Sequence, residues 1–211
     1  MRYSLTRAAE LAEASYTGRR HAQIGYQFKA AFSKNDVEAI LLTDNTLLIP
    51  GSNTVMDYIR YNLRVQRLGK GRLRMTNVDG VSWHQGFLAH AKVVQDWLLA
   101  NRYSPSFIIG HSLGAASAQI LSSGYNIPAV AFAAPRPSRT KSLRKAARRC
   151  LCVNRSDDRV CNLPGAFFHL GEVRLCRPKI ENPGLDHSML HYRTSVEEGL
   201  SARSLPRNWP Q

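Results

Sequence analysis

The sequence predicts an α/β fold, with a mainly parallel central sheet and helices on both of its faces. Three observations carry that prediction. An apolar, β-prone run from Tyr103 to Ile109 passes directly into Gly110-x-Ser112-x-Gly114 and then into an Ala-rich stretch from Ala115 to Leu121, the pattern of a strand turning sharply into a helix. Downstream of that turn, strand-like and helix-like segments alternate, which argues for parallel strands joined by crossover helices. The chain has 211 residues, enough for one domain to bury a substantial core without disulfides.

Taken in order, Ser4 to Tyr16 has helical spacing at Leu5, Ala8, Ala9 and Ala12. Strands are expected at Ile24 to Phe32, Val37 to Thr43 and Thr46 to Ile49, with Asp44-Asn45 a hairpin signal between the last two. Helical periodicity returns from Thr54 to Leu68. It recurs from Phe87 to Leu99, where Phe87, His90, Ala91, Val94 and Leu98 share one face. After the Ala-rich helix come a strand at Ala129 to Ala133, a helix at Ser138 to Arg149, a strand at Leu151 to Asn154 and further strand at Glu172 to Cys176. His187 to Leu200 begins as a loop and ends as a helix. Internal repeats, linkers and low-complexity segments are not evident, so one compact domain over residues 1 to 211 is expected.

Composition narrows the partners. The formal charge is +14 and the pI about 10.2, which favours anionic surroundings such as acidic lipid headgroups or nucleic acid. Met1 to Arg20 is interrupted by Arg2, Arg7, Glu10 and Glu13, so it lacks a signal-peptide apolar core, and no segment approaches the length of a membrane span. A cytoplasmic location, or export by a route independent of a signal peptide, is the expectation. Cys150, Cys152, Cys161 and Cys176 contain no C-x-x-C pair, and Cys150 and Cys152 would share a strand face in a poor geometry for bonding to each other. Reduced thiols and no metal site are expected.

Chemistry concentrates on Ser112. A chain of this length contains G-x-S-x-G by chance on the order of one time in ten, so the surroundings must carry the argument. A strand before it and small helical residues after it are what a nucleophile elbow requires, because the turn holds the serine above the sheet end with a helix N-terminus behind it. Serine attacks at neutral pH only when a histidine accepts its proton and a carboxylate fixes that histidine. On such a sheet the chain order is serine, acid, histidine. The adjacent Asp157 and Asp158 follow the strand ending at Asn154 and are the leading acids, since the carboxyl ends of strands carry the site. Downstream histidines are His169, His187 and His191. His187 lies in a loop introduced by Asn182-Pro183-Gly184, with His191 the reserve four residues on. One oxyanion donor should be the backbone N–H of Leu113. The second is expected from Pro50-Gly51-Ser52, where Gly51 permits close approach. His111 reads as a packing or supporting residue, and His84 as a histidine satisfying backbone groups at the start of a helix.

Together these residues resemble the class 3 lipases, an α/β-hydrolase family of triacylglycerol lipases and related phospholipases and esterases. Gly51-Ser52 with Asp57-Tyr58 and Asn62-Leu63 resembles the family's R-G-T/S, D-W and N-L stretch, and His84-Gln85-Gly86-Phe87 its H-x-G-F. Ile108 to Gly114 resembles the elbow and Phe132-Ala133-Ala134-Pro135-Arg136 resembles F-G-x-P-R. Asp158-Arg159-Val160 with Leu163-Pro164 resembles D-x-V-P-x-L-P, and Asp186-His187 the final D-H. The order of these pieces is more specific than any one of them. The resemblance implies an α/β-hydrolase fold and hydrolysis of lipid esters without metal or cofactor. It implies Ser112, Asp158 and His187 as catalytic residues, and Ser52 with Leu113 as the oxyanion hole. Pro50, Ala115 and Cys161 depart from the family pattern without removing a catalytic group, and the short stretch after Ser112 implies a trimmed cleft.

Two acid-free basic stretches remain. One holds Arg60, Arg64, Arg67, Lys70, Arg72 and Arg74. The other holds Arg136, Arg139, Lys141, Arg144, Lys145, Arg148 and Arg149. Either they form a solvated face, or Arg60, Arg64, Arg67, Arg144, Lys145 and Arg148 form a cationic face for an anionic membrane surface, each contributing about 1 kcal/mol there. Nucleic acid is disfavoured as a partner because neither stretch interleaves aromatics for base stacking. No obligate protein partner is evident. The competing functional class is a catalytically silent lipase-like module that binds anionic membrane or nucleic acid through this basic face.

Overall fold

Apolar residues alternate along each central strand, so each strand feeds two cores, one on either side of a sheet. The computed structural model describes residues 1–25, 27–51, 75–78, 80–143, 148–181 and 187–211. Its strands are β1 (Tyr3–Ser4), β2 (Phe28–Lys34), β3 (Val37–Leu42), β4 (Thr46–Ile49), β5 (Met75–Val78), β6 (Val81–His84), β7 (Phe107–His111), β8 (Ala129–Phe132), β9 (Cys150–Arg155), β10 (Glu172–Cys176) and β11 (Asn208–Trp209). Its α-helices are α1 (Leu5–Ala14), α2 (Ala22–Gly25), α3 (Gln85–Ala100), α4 (Leu113–Tyr125) and α5 (Met189–Ser201).

The central sheet has seven strands in the order β10-β9-β8-β7-β4-β3-β2. Strands β4, β7, β8, β9 and β10 run parallel, while β3 and β2 continue the sheet antiparallel. The mainly parallel sheet with helices on both faces is therefore observed. On one face Phe107, Ile109, Val130, Phe132, Leu151 and Val153 pack with α1 and α5. On the other, Ile108, Ala129, Ala131, Cys150 and Cys152 pack with α3 and α4. This second face is built from small residues, and α4 meets it with Ala115, Ala116 and Ala118, so the helix behind the elbow can sit close to the sheet. All four cysteines are free and buried.

The expected elements shift in three places. Ile24 is not in a strand: it lies in α2, fully buried, and tertiary burial overrides its β preference. The strand expected from Tyr103 starts only at Phe107, because Pro105 has no N–H for a ladder and Ser106 instead bonds back to Asn45. The helix expected from Ser138 is not formed at its start, where Ser138 bridges both Trp83 and Phe168 and its hydroxyl accepts from Thr140 N–H, a local alternative to helical bonding. Residues 144–147 of that stretch, and the helical pattern from Thr54 to Leu68, lie outside the described residues. The hairpin at Asp44-Asn45 forms, with Asn45 at φ 62°. A second hairpin, turning through Asn35-Asp36 at φ 52° and 60°, uses the positive φ pair that two-residue turns require.

Candidate active site

The site gathers at the carboxyl ends of the parallel strands. Ser112 joins β7 to α4 with φ 56° and ψ −119°, a conformation that costs a non-glycine residue about 1–3 kcal/mol. Its N–H is held by Phe132 O at 3.0 Å. The tightness of the turn also explains Gly114: a Cβ there would lie 2.0 Å from Ile49 O, so α4 could not seat on the end of β4 with any larger residue. Leu113 is the first residue of α4, and the leading N–H groups of a helix have no intrahelical acceptor. That leaves its N–H at the site as a donor. Ser52 lies outside the described residues, but Gly51 before it is packed against the elbow, where an added Cβ would come 2.8 Å from Ser112 Cβ.

One imidazole bridges the serine and an acid. His187 Nε2 lies 2.6 Å from Ser112 Oγ, and His187 Nδ1 lies 2.8 Å from Asp158 Oδ2. A carboxylate accepts, so Nδ1 carries the proton and Nε2 is left to accept from the serine hydroxyl. The Asp158 carboxylate also receives Tyr192 O–H on Oδ2 at 2.8 Å and Val160 N–H on Oδ1 at 2.9 Å. Burial works to raise this carboxyl, but the His187 bond and charge, the Tyr192 hydroxyl and the Val160 N–H outweigh it and hold Asp158 below its ordinary range. The side chain of His187 is 15% exposed and that of Asp158 only 2%, so the site opens on the histidine side.

The neighbouring acid has a different environment. Asp157 receives Arg155 Nε at 3.0 Å and Arg155 Nη2 at 2.8 Å, a buried two-point ion pair. Arg155 Nη1 also donates to His191 O and to Ser195 Oγ, tying the end of β9 to α5, the helix that follows His187. Of the two adjacent acids, Asp158 is brought to the imidazole. Of the two candidate bases, His187 is brought to Ser112.

The other histidines have local partners. His84 caps α3, accepting from Phe87 N–H, as its sequence position suggests, and burial pushes it down to about 4. His90 pairs with Ser117 between α3 and α4. His169 Nε2 lies 2.8 Å from Ala134 O, beside the turn after β8. Sequence reasoning missed Tyr192 and Tyr16. Tyr192 belongs to the buried stripe Met189, Tyr192, Val196 of α5, and a large polar ring on an otherwise apolar stripe is a signal that could have marked it. Tyr16 follows α1 and carries no comparable signal.

Most of the expected basic face, namely Arg60, Arg64, Arg67, Arg144 and Lys145, lies outside the described residues. Arg148 is described and exposed, but it precedes β9, at the amino ends of the parallel strands. It therefore sits on the edge opposite Ser112, because the site is at the carboxyl ends. Among the described residues, exposed cations that follow the carboxyl ends of parallel strands include Arg139, Arg159 and Arg177, with Lys179 two residues on; Ile180 is 82% and Leu190 62% exposed. Among the described residues no His, Cys, Asp and Glu cluster could hold a metal ion, and no helix is long and apolar enough to cross a membrane.

The fold has parallels among solved structures. The structure matches a Rhizomucor miehei lipase propeptide complex at a TM-score of 0.62 and 19% identity, covering 96% of this chain and 78% of that one. The fold is that of the class 3 lipases. Lip2 lipase from Yarrowia lipolytica matches at a TM-score of 0.60 and 15% identity, over 86% of this chain and 81% of that one. A triacylglycerol lipase from Penicillium expansum matches at 0.56 and 16%, over 82% and 78%. No protein-family model and no curated protein sequence matches the chain. The same fold is thus found at 15–19% sequence identity.

Proposed function

We propose that the protein is a serine hydrolase of lipid carboxylic esters, of lipase or phospholipase type, working through an acyl-enzyme. The observation that carries this reading is the single imidazole of His187 hydrogen-bonded to both Ser112 Oγ and Asp158 Oδ2. In the first half-reaction Ser112 Oγ attacks the ester carbonyl carbon while its proton passes to His187 Nε2. The charge on the resulting imidazolium is balanced by Asp158. The carbonyl oxygen becomes an oxyanion facing the N–H of Leu113 and, on the resemblance, that of Ser52. Collapse breaks the bond to the alcohol, which takes the proton back from His187 and leaves Ser112 acylated. Water, deprotonated by the same nitrogen, then releases the carboxylic acid and restores the serine.

The lipid character rests on the likeness to fungal lipases and on exposed residues of both kinds in the segments after the parallel strands and at the start of α5, apolar Ile180 and Leu190 and basic Arg159, Arg177 and Lys179. Such a combination suits anionic lipid surfaces. Fatty-acid release from vesicles of anionic, zwitterionic and neutral lipid tests it. The expected order at low salt is anionic fastest, with the advantage shrinking as salt rises. Equal rates on all three surfaces at low salt would remove the charge argument.

A further inference from the structure

One chain of hydrogen bonds near Ser112 is not used by the chemistry above. His111, the last residue of β7, is buried and lies directly before the serine. Its Nε2 is 2.9 Å from the main-chain oxygen of His187, which can only accept, so Nε2 carries a proton. Burial foremost, and the charge of His187, push His111 down to about 3, so the ring is neutral and Nδ1 offers a lone pair. The hydroxyl of Tyr16 donates to that lone pair. The Tyr16 oxygen in turn accepts the N–H of Gly51 at 2.9 Å. Each polar atom is used and the direction is fixed: Gly51 N–H to Tyr16, Tyr16 O–H to His111 Nδ1, His111 Nε2–H to the carbonyl of His187.

We propose that Tyr16 and His111 form a positioning brace that fixes the Gly51 loop and the His187 loop relative to each other across Ser112. The inference rests on the proposed hydrolase reading. Both ends of the brace finish on main-chain atoms, one in the loop that continues into Ser52 and the other on the proposed base itself. Neither Tyr16 nor His111 touches the reacting atoms. Their role is to hold donor and base at the distances that acyl transfer demands, where displacement by about 1 Å costs on the order of a hundredfold in rate. A part-buried Tyr–His contact serving packing alone would not need to end on these two loops. The brace also demands that two imidazoles with centroids 5.2 Å apart hold opposite tautomers, Nε2–H in His111 and Nδ1–H in His187.

The test uses the full chain, its Tyr16→Phe and His111→Gln variants and the double variant. It measures kcat and KM on a short-chain p-nitrophenyl ester, the thermal unfolding midpoint, and histidine tautomers by long-range nitrogen NMR. Tyr16→Phe is expected to lower kcat about tenfold with KM within about twofold. The double variant should be no slower than the slower single one, because one break already opens the chain. The wild type should show His111 protonated on Nε2. A Tyr16→Phe variant with wild-type kcat and only a lower midpoint, multiplicative losses in the double variant, or an Nδ1–H tautomer at His111 would each overturn the brace. If His111→Gln does not fold, Tyr16→Phe and the wild-type tautomers still decide. A wild type that shows the predicted tautomers but hydrolyses nothing overturns the hydrolase reading and removes the catalytic meaning of the brace. An active wild type that fails the tests above overturns the brace alone.

Discussion

Two serine–histidine pairs have their serines five residues apart along the chain, and the contrast between them shows what a candidate nucleophile needs. Ser117 bonds His90 at 2.7 Å, and Ser112 bonds His187 at 2.6 Å. Both serines are buried, at 0% and 2% exposure, so neither distance nor burial separates them. The surroundings do. Ser117 sits inside α4 with ordinary helical backbone, and His90 spends Nδ1 on the serine, with no carboxylate on its other nitrogen among the described residues. Ser112 sits on a strained turn at a helix N-terminus, and His187 approaches it through Nε2, which frees Nδ1 for Asp158. Burial alone acts on His90 and pushes it down to about 4, which makes it a poor proton acceptor at neutral pH. The Ser117–His90 pair is therefore an interhelical contact, and among the described residues only the Ser112–His187 pair has the parts of a catalytic set.

That contrast is open to attack by substitution. Ser112→Ala is expected to reduce ester hydrolysis by about a millionfold, whereas Ser117→Ala should leave kcat within about twofold and cost about 1–3 kcal/mol of stability by stranding His90. Steady-state rates and denaturant titrations read both. Comparable losses of activity in the two variants would erase the distinction. Next in size is the pair of acids: Asp158→Asn should lower kcat about ten-thousandfold by releasing His187 from its tautomer, while Asp157→Asn should keep most activity and lose about 3–5 kcal/mol, since the change breaks the buried Arg155–Asp157 ion pair. Activity assays with unfolding curves on both variants would expose a reversal, and a reversal would move the proposed acid to Asp157.

The third effect concerns pH. His84, His90 and His111 are held neutral by burial at about 4, 4 and 3, below the ordinary value of about 6.5 in an unfolded chain. Between about pH 6.5 and 4 the unfolded chain binds protons that the folded one does not, so stability falls as pH drops through that window. Asp158 acts lower still. Its depressed carboxyl contributes stability that is fully present above the ordinary carboxylate value of about 3.9 and disappears as pH falls through its folded value. Denaturant midpoints at pH 7, 5.5 and 4.5 should decline steadily, and His90→Asn should flatten the decline. An unchanged slope in that variant would contradict the burial account of His90.

Much of this organisation is legible in the residues themselves. The elbow can be read because a strand, two glycines and a run of alanines are local requirements, and the parallel sheet because alternation of elements is a property of order along the chain. Cys150, Leu151, Cys152 and Val153 alternate between the two cores, as a strand with both faces covered must. The separation of Asp157 from Asp158 is not legible from spacing, since adjacent residues share a neighbourhood and only the fold decides which one meets Arg155. The family pattern supplied Asp158; the residues alone left the pair open. Tyr192 and Tyr16 escape for a related reason: their partners are 34 and 95 residues away, and no local rule points to them. Arg148 differs again. Its clustering in sequence says nothing of which edge of the sheet it occupies, and only the fold puts it before β9, on the edge opposite Ser112.

Intact-mass analysis after treatment with a fluorophosphonate tests the central claim most directly, because only an activated serine reacts. One phosphonyl adduct, mapped by peptide analysis to Ser112, absent in Ser112→Ala and strongly slowed in Asp158→Asn, is the predicted result. A folded wild-type protein that takes up no adduct, or a Ser112→Ala variant that still labels at the wild-type rate, would contradict it and leave the lipase fold here without lipase chemistry.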